Sequence, residues 1–438
     1  MKDKSSGLLN IIFICFVLNI IPIALLGVFK ISNGLYTLLY ALFYCIQSFL
    51  LFFKNWKHIR YIPKKNFLIL VLFLLNNIMA LIYSYFKFGA VDYNEYLFII
   101  SSTINILLFI LSLEKVTVSN NELIVFLKKI CFIGLFAAIL NILLNYKSII
   151  NLRFINNSYS VSFSSFFPNR NQFGLFMLIE IIALSLLSAY NYKKKYFIYF
   201  VIFGLNLILT MSRNSILGLA VYISMCLYYK FLKYKIKMSR NKLLLFAGIC
   251  IFTIYIGIKV AGSEKIIGMI NTMFIRIDTL ETGSGRFSVW KHGINIANKY
   301  NFLFGVGRYK ALELNKLLFN DNLEYFHSLY IEKYATNGLI GLLILFYLIK
   351  YVWKKVSNCS NLKYKIILKS TLISFYVFSV FETTTRFSIG YADSVFLIFF
   401  FTIPILISNI KYEKTNNIIK DKQKNHNIIT SHIVHTIK

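Results

Sequence analysis

Residues 8–29 read LLNIIFICFVLNIIPIALLGVF, a stretch without one charged side chain. Coiled as an α-helix at 1.5 Å per residue, it measures about 33 Å, the thickness of the hydrocarbon core of a bilayer. The run is longer than a signal-peptide core and no small-residue cleavage site follows it, so it is expected to stay as a membrane span. Working outward, comparable apolar runs recur at 35–53, 67–86, 96–113, 123–145, 172–190, 197–211, 214–232, 243–260, 329–349, 366–382 and 392–410. The chain of 438 residues is 58% hydrophobic and 15% charged, with 43 Phe, 30 Tyr and 4 Pro. Ordinary soluble domains are nearer half apolar and a quarter charged. A soluble enzyme, a nucleic-acid binder and a secreted disulfide scaffold are therefore excluded. The pattern predicts an all-α polytopic membrane protein with about twelve transmembrane helices.

Charge sets the expected topology. Lys and Arg number 48 against 17 Asp and Glu, a formal charge of +31. In a membrane protein such an excess is retained on cytoplasmic loops, so nucleic acid is not expected as a partner. Lys54, Lys57, Arg60, Lys64 and Lys65 fill one loop, Lys193, Lys194 and Lys195 a second, and residues 230–242 and 350–365 two more. With twelve spans all four fall on one side, together with the tail 411–438, which places both termini in the cytoplasm. The expected organisation is nine spans in 1–260, one large outer loop over 261–328, three spans in 329–410 and a disordered tail. Within the loop, Gly285–Tyr300 has Trp290, Ile294 and Ala297 at helical spacing, as in an amphipathic surface helix. Cys15, Cys45, Cys131, Cys226, Cys250 and Cys359 are scattered, without metal or redox spacing.

The arginines are distributed differently from the lysines. In this topology Arg60 and Arg240 lie inside, whereas Arg153, Arg170, Arg213, Arg276, Arg286, Arg308 and Arg386 lie outside or at the outer boundary. Guanidinium is a planar fork of donors that suits phosphate and carboxylate oxygens. Such a cluster either serves an anionic ligand, a diphosphate being the natural candidate, or pairs with acids such as Asp278, Glu281 and Glu382. Arg213 stands in a short polar break between apolar runs, as a functional cation or as an interfacial anchor. His327, where the large loop re-enters the membrane, is a candidate proton acceptor. No His-Glu-x-x-His and no metal-spaced cluster occurs, so neither metal nor cofactor is expected. Gly305-Val306-Gly307-Arg308, taken alone, is a turn.

His327-Ser328, nine residues, then Gly338-Leu339-Ile340-Gly341 resembles the His-[Asn/Ser/Gln]-x9-Gly-x-x-Gly pattern of the O-antigen ligase and polysaccharide polymerase superfamily. Gly285-Arg286 with Trp290, the stretch Phe302 to Gly307, Ser212-Arg213, and Pro168-Asn169-Arg170-Asn171 are similar to other features of that family. The resemblance covers roughly residues 165–350. It implies a multispan helical glycosyltransferase whose donor is a glycan on a polyprenyl diphosphate. It implies Arg213, Arg286 and His327 as catalytic, with an acidic residue late in the chain, either Glu382 or Asp393. Arg170, Arg276, Arg308, Asn169, Asn171 and Ser328 would bind substrate.

The chemistry suits these residues. Fixed arginines can neutralise a leaving diphosphate without a metal ion, and a sugar hydroxyl needs a general base, here His327. The expected function is polymerisation of lipid-linked oligosaccharide repeat units (capsule, exopolysaccharide or O-antigen) at the outer face of a bacterial plasma membrane. A ligase transferring glycan to another acceptor shares this chemistry and remains open. A lipid-linked oligosaccharide flippase is the alternative of another class; the off-centre position of the single large loop, the scarcity of Pro and the lack of an internal repeat count against it. Membrane lipid, a flippase and a chain-length regulator are the implied partners.

Overall fold

A backbone in hydrocarbon must satisfy its own N–H and C=O groups, so each apolar run closes into a helix. The computed structural model describes residues 7–150, 163–235, 285–384, 387 and 395–410. The predicted span 243–260, loop residues 261–284, Arg153, Arg240, Arg276, Arg386, Asp393 and the tail 411–438 lie outside the described residues. The principal helices are α1 (Leu8–Phe29), α2 (Asn33–Ile59), α3 (Lys64–Phe88), α4 (Tyr93–Phe109), α5 (Asn120–Leu144), α6 (Arg170–Tyr190) and α7 (Lys194–Leu209). They continue with α8 (Arg213–Leu227), α9 (Arg286–Tyr300), α10 (Arg308–Phe319), α11 (Leu329–Ser357), α12 (Leu362–Phe381) and α13 (Ile403–Asn409). No strand occurs among the described residues, and the protein is an all-helical polytopic membrane protein.

Among those residues, nine helices are long and apolar enough to cross a membrane: α1 to α6, α8 with its π-helical extension to Lys233, α11 and α12. The run expected at 197–211 forms α7, only 16 residues long: it starts after Lys193 at its N-cap, and the chain turns at Met211, φ 51°. The run at 392–410 supplies the described helical stretch Leu397–Asn409, whose first turn is π-helical.

Helix starts follow local chemistry. Ser119 and Glu122 form a capping box at α5, Asp92 caps α4 through Asn94, and Asn169 caps α6 through Gln172. At one end of the bundle, the lysine end, Glu122 accepts from Gly7, Lys129 donates to Asn10, and Lys355 meets Glu114 at 3.5 Å. At the other, the arginine end, Tyr83 of α3 donates to the Tyr300 carbonyl, and α9 and α10 lie over the mouths of α3, α4 and α11.

α6 is the central helix. From Phe173 to Leu187 almost every residue is buried, surrounded by α5, α7, α8 and α12. A helix that is apolar all round belongs at the centre of a bundle. Glycines permit the closest approaches. A Cβ on Gly174 would meet Ser215 Oγ at 2.7 Å and Thr210 Oγ1 at 3.0 Å, which seats the turn before α8 against the first turn of α6. Farther along α8, Ser374 of α12 donates to the Gly218 carbonyl at 2.6 Å.

α11 is broken. The expected span 329–349 is interrupted at Gly338 (φ 65°, ψ −164°), and its second half runs on to Ser357. The chain from Phe302 to Gly307 fills the break. Leu339 and Ile340 donate to the carbonyls of Phe302 and Leu303, while Val306 and Gly307 donate to those of Ala335 and Thr336. Groups released by the interruption thus regain partners. Asn76 and Asn77 of α3 bond Asn337 beside the break at 3.0 and 2.9 Å.

Candidate active site

Three helix ends meet at the arginine end. α9 begins with Arg286, α11 is entered through His327 and Ser328, and α12 stops at Phe381, leaving Glu382 extended. Arg286 Nη1 donates to the Phe381 carbonyl at 2.6 Å, and its Nη2 lies 3.6 Å from Glu382 Oε2. The other oxygen, Glu382 Oε1, is 3.9 Å from His327 Nδ1. Trp290, one turn into α9, packs on Phe381 with ring centroids 5.9 Å apart, fixing α9 against the end of α12. The expected face of α9 differs by one position. Val289, Gly293, Ile296 and Ala297 are buried, while Trp290 is half-buried and Ile294 exposed, because Phe326 and Ile331 pack where a Gly293 side chain would stand.

The electrostatics of this trio are set by burial. Burial pushes the Glu382 carboxyl up to about 7, with Arg286 pulling the other way. Burial, then the Arg286 guanidinium, holds the His327 imidazole below its ordinary value, with Asp321 opposing. Near neutrality the site therefore offers a neutral imidazole, a carboxyl poised to exchange a proton and a permanent cation. His327 itself has φ 53°, the left-handed region that non-glycine residues seldom adopt. Tyr325 sets its ring edge-on to His327, centroids 4.5 Å apart.

Glu382 also lines a cavity of about 710 Å³ between the bundle and α10. Its walls carry Tyr36 and Tyr40 from α2, Asn94, Leu97, Phe98 and Ser101 from α4, and Asn169, Asn171 and Gln172 at the start of α6. Arg308, Tyr309 and Tyr325 complete the outer wall. Here the Glu95 carboxylate accepts the backbone N–H groups of Arg308 and Tyr309 at 2.9 and 2.8 Å, at the N-terminus of α10. The Arg308 side chain lies 3.5 Å from Glu332 Oε1 and donates to the Glu324 carbonyl, and Glu332 also accepts from Phe326 N. Gly307 is required at this point: φ is 81° and a Cβ would press on the Glu95 carboxyl at 3.0 Å. The Gly305-Val306-Gly307 segment therefore serves backbone closure rather than phosphate cradling.

Of the residues singled out from sequence, the structure brings Arg286 and His327 together through Glu382, and places Arg308, Asn169 and Asn171 on the cavity wall. Ser328 is buried at the N-cap of α11, where its carbonyl accepts from Glu332 N. Arg170 and Arg213 are half-buried at the first positions of α6 and α8. They share the arginine end but are not among the residues lining the cavity. Arg276 lies outside the described residues, and of the two late acids only Glu382 is described. Glu95, Glu332 and Tyr325 were not anticipated. The signal for the two acids was present: each is a carboxylate at the edge of an apolar run, where charge is rare.

Residues 198–346 match the family model described as O-antigen ligase. The match takes in Arg213, Arg286, Arg308 and His327 and ends before Glu382. No curated protein matches the chain. The match agrees with the O-antigen ligase and polymerase superfamily.

Proposed function

With a membrane glycosyltransferase region of the O-antigen ligase type as the starting point, we propose that this protein polymerises lipid-linked oligosaccharide repeat units. It would transfer the growing glycan from a polyprenyl diphosphate to a sugar hydroxyl of the next lipid-linked unit. The arginine end would face the outside of a bacterial plasma membrane, with both termini cytoplasmic, in accord with the lysine-rich loops of the opposite end. The observation that carries this reading is the Arg286–Glu382–His327 cluster at the edge of the cavity.

Each group has a task. The donor already bears a good leaving group, and the barrier lies in the charge that develops on the departing diphosphate. Arg286, with Arg213 at the same end, supplies fixed positive charge to it without a metal ion. The acceptor hydroxyl must lose its proton as it attacks. With 3.9 Å between His327 Nδ1 and Glu382 Oε1, a hydroxyl oxygen can stand about 2.8 Å from both at once. His327 takes the proton, and Glu382, titrating close to neutrality, passes it on. The tyrosine and asparagine walls suit sugar rings, whose faces are apolar and whose rims carry hydroxyls. Arg170, Arg276, Arg308, Asn169, Asn171 and Ser328 remain the proposed binding residues.

The test is reconstitution. Purified protein supplied with lipid-linked repeat units in detergent, with a chelator present, is expected to lengthen the glycan. His327→Ala and Arg286→Ala should insert and fold yet yield no long-chain product. Polymer of normal length from both variants would refute the site assignment.

A further inference from the structure

At the lysine end, far from the candidate active site, α5, the end of α6 and the start of α7 enclose two adjoining cavities of about 280 and 290 Å³. Lys128, Leu187, Lys193 and Tyr196 belong to both, and Lys195 and Tyr199 close the first. No carboxylate lines either one. Among the described residues, the ammonium groups of Lys128, Lys193 and Lys195 have no ion-pair or hydrogen-bond partner, whereas the neighbouring Lys129 donates to Asn10 and Lys355 meets Glu114. Three exposed lysines thus line one hollow that has no carboxylate in its wall. The position supplies a second argument. Residues 191–193 join two helices at the bundle end, the level of lipid head groups, and Tyr196 and Tyr199 are of the type that anchors there. Below the lysines the first cavity continues along α5 past Phe132 to Leu135, about 10 Å deeper by helix rise. A hollow that is cationic at the head-group level and apolar beneath it has the polarity profile of a phospholipid, whereas a free anion would leave the lower half empty.

We propose that this pair of cavities binds an anionic phospholipid of the leaflet at the lysine end. Its phosphodiester rests among Lys128, Lys193 and Lys195, and its first acyl carbons lie against Phe132 and Leu135. Juxtamembrane lysines attract anionic lipid additively, so removing all three charges should weaken binding about 100-fold.

The experiment uses full-length protein in phosphatidylcholine nanodiscs, titrated with a photoactivatable phosphatidylglycerol and read by mass spectrometry of the labelled peptides. Saturable label is expected within 128–135 and 187–199, displaced by unlabelled phosphatidylglycerol and not by equal inorganic phosphate. Lys128→Gln/Lys193→Gln/Lys195→Gln should show the 100-fold loss. Lys57→Gln/Lys64→Gln/Lys65→Gln, which removes equal charge from the same end, should bind as the parent does. Label confined to other segments, equal loss in the control variant, or displacement by inorganic phosphate would each overturn the proposal. The label map of the unmutated protein decides the matter even if the triple variant fails to fold.

Discussion

Glu382 should be a residue that the fold tolerates at a cost, and Glu382→Gln measures that cost. Its side chain is 17% exposed and stands at the C-terminal end of α12, where backbone carbonyls already make the potential negative. Burial lifts its pKa from 4.5 to about 7 despite Arg286. The folded protein therefore keeps a proton that the unfolded chain releases. Stability linked to this group is fully present below pH 4.5 and is lost as pH rises through 7. At 1.36 kcal/mol per unit, the ionised carboxylate destabilises the fold by roughly 3 kcal/mol at pH 8, and by under about 1 kcal/mol at pH 5. Glutamine has the same shape without the charge, so Glu382→Gln should be more stable at pH 8, with the difference closing towards pH 5. Thermal unfolding in detergent with a thiol-reactive dye reads this directly, because Cys15, Cys131 and Cys359 are buried until the bundle opens. A variant less stable than the parent at pH 8, or a difference independent of pH, would refute the reasoning. The first outcome would mean that the ion pair with Arg286 outweighs desolvation.

The same ionisation should appear in the rate. Glycan transfer is expected to fall as pH drops through about 7, when Glu382 takes up its proton. His327, held below its ordinary value, stays neutral through that range. A pH profile of single-turnover transfer checks this, and a flat profile from pH 6 to 8 would remove Glu382 from the proton path. The break in α11 gives a structural prediction. Gly338→Ala drives a Cβ into the Leu303 carbonyl at φ 65°, so the protein should lose about 2 kcal/mol or more and much of its folded yield. Gly204→Ala, which meets nothing within 4 Å, should be silent by size-exclusion recovery.

Much of the architecture was legible along the chain because a bilayer imposes a one-dimensional rule: twenty apolar residues, then charge. That rule located α1 to α6, α8 and α12. It failed where the decisive contact is remote. Nothing local marks residues 329–349 as two helices, since Gly338 breaks the span only because residues 302–307 arrive to take up the freed backbone groups. The buried face of α9 was off by one position for the same reason: Phe326 and Ile331, not its own periodicity, choose it.

For the site, the motif resemblance pointed to Arg213, Arg286 and His327 as the groups that carry charge and protons, and left Glu382 level with Asp393. The tertiary structure sets Glu382 beside both Arg286 and His327, by ending α12 at Phe381 where α9 and the entry to α11 converge, while Asp393 lies outside the described residues. It likewise turned Arg308 towards Glu332 and put α6 at the centre, although its sequence reads like that of its neighbours. Membrane insertion depends on summed transfer energies, which composition records. A proton's affinity depends on burial and on charges a few ångströms away, and those are known only once distant segments have packed together.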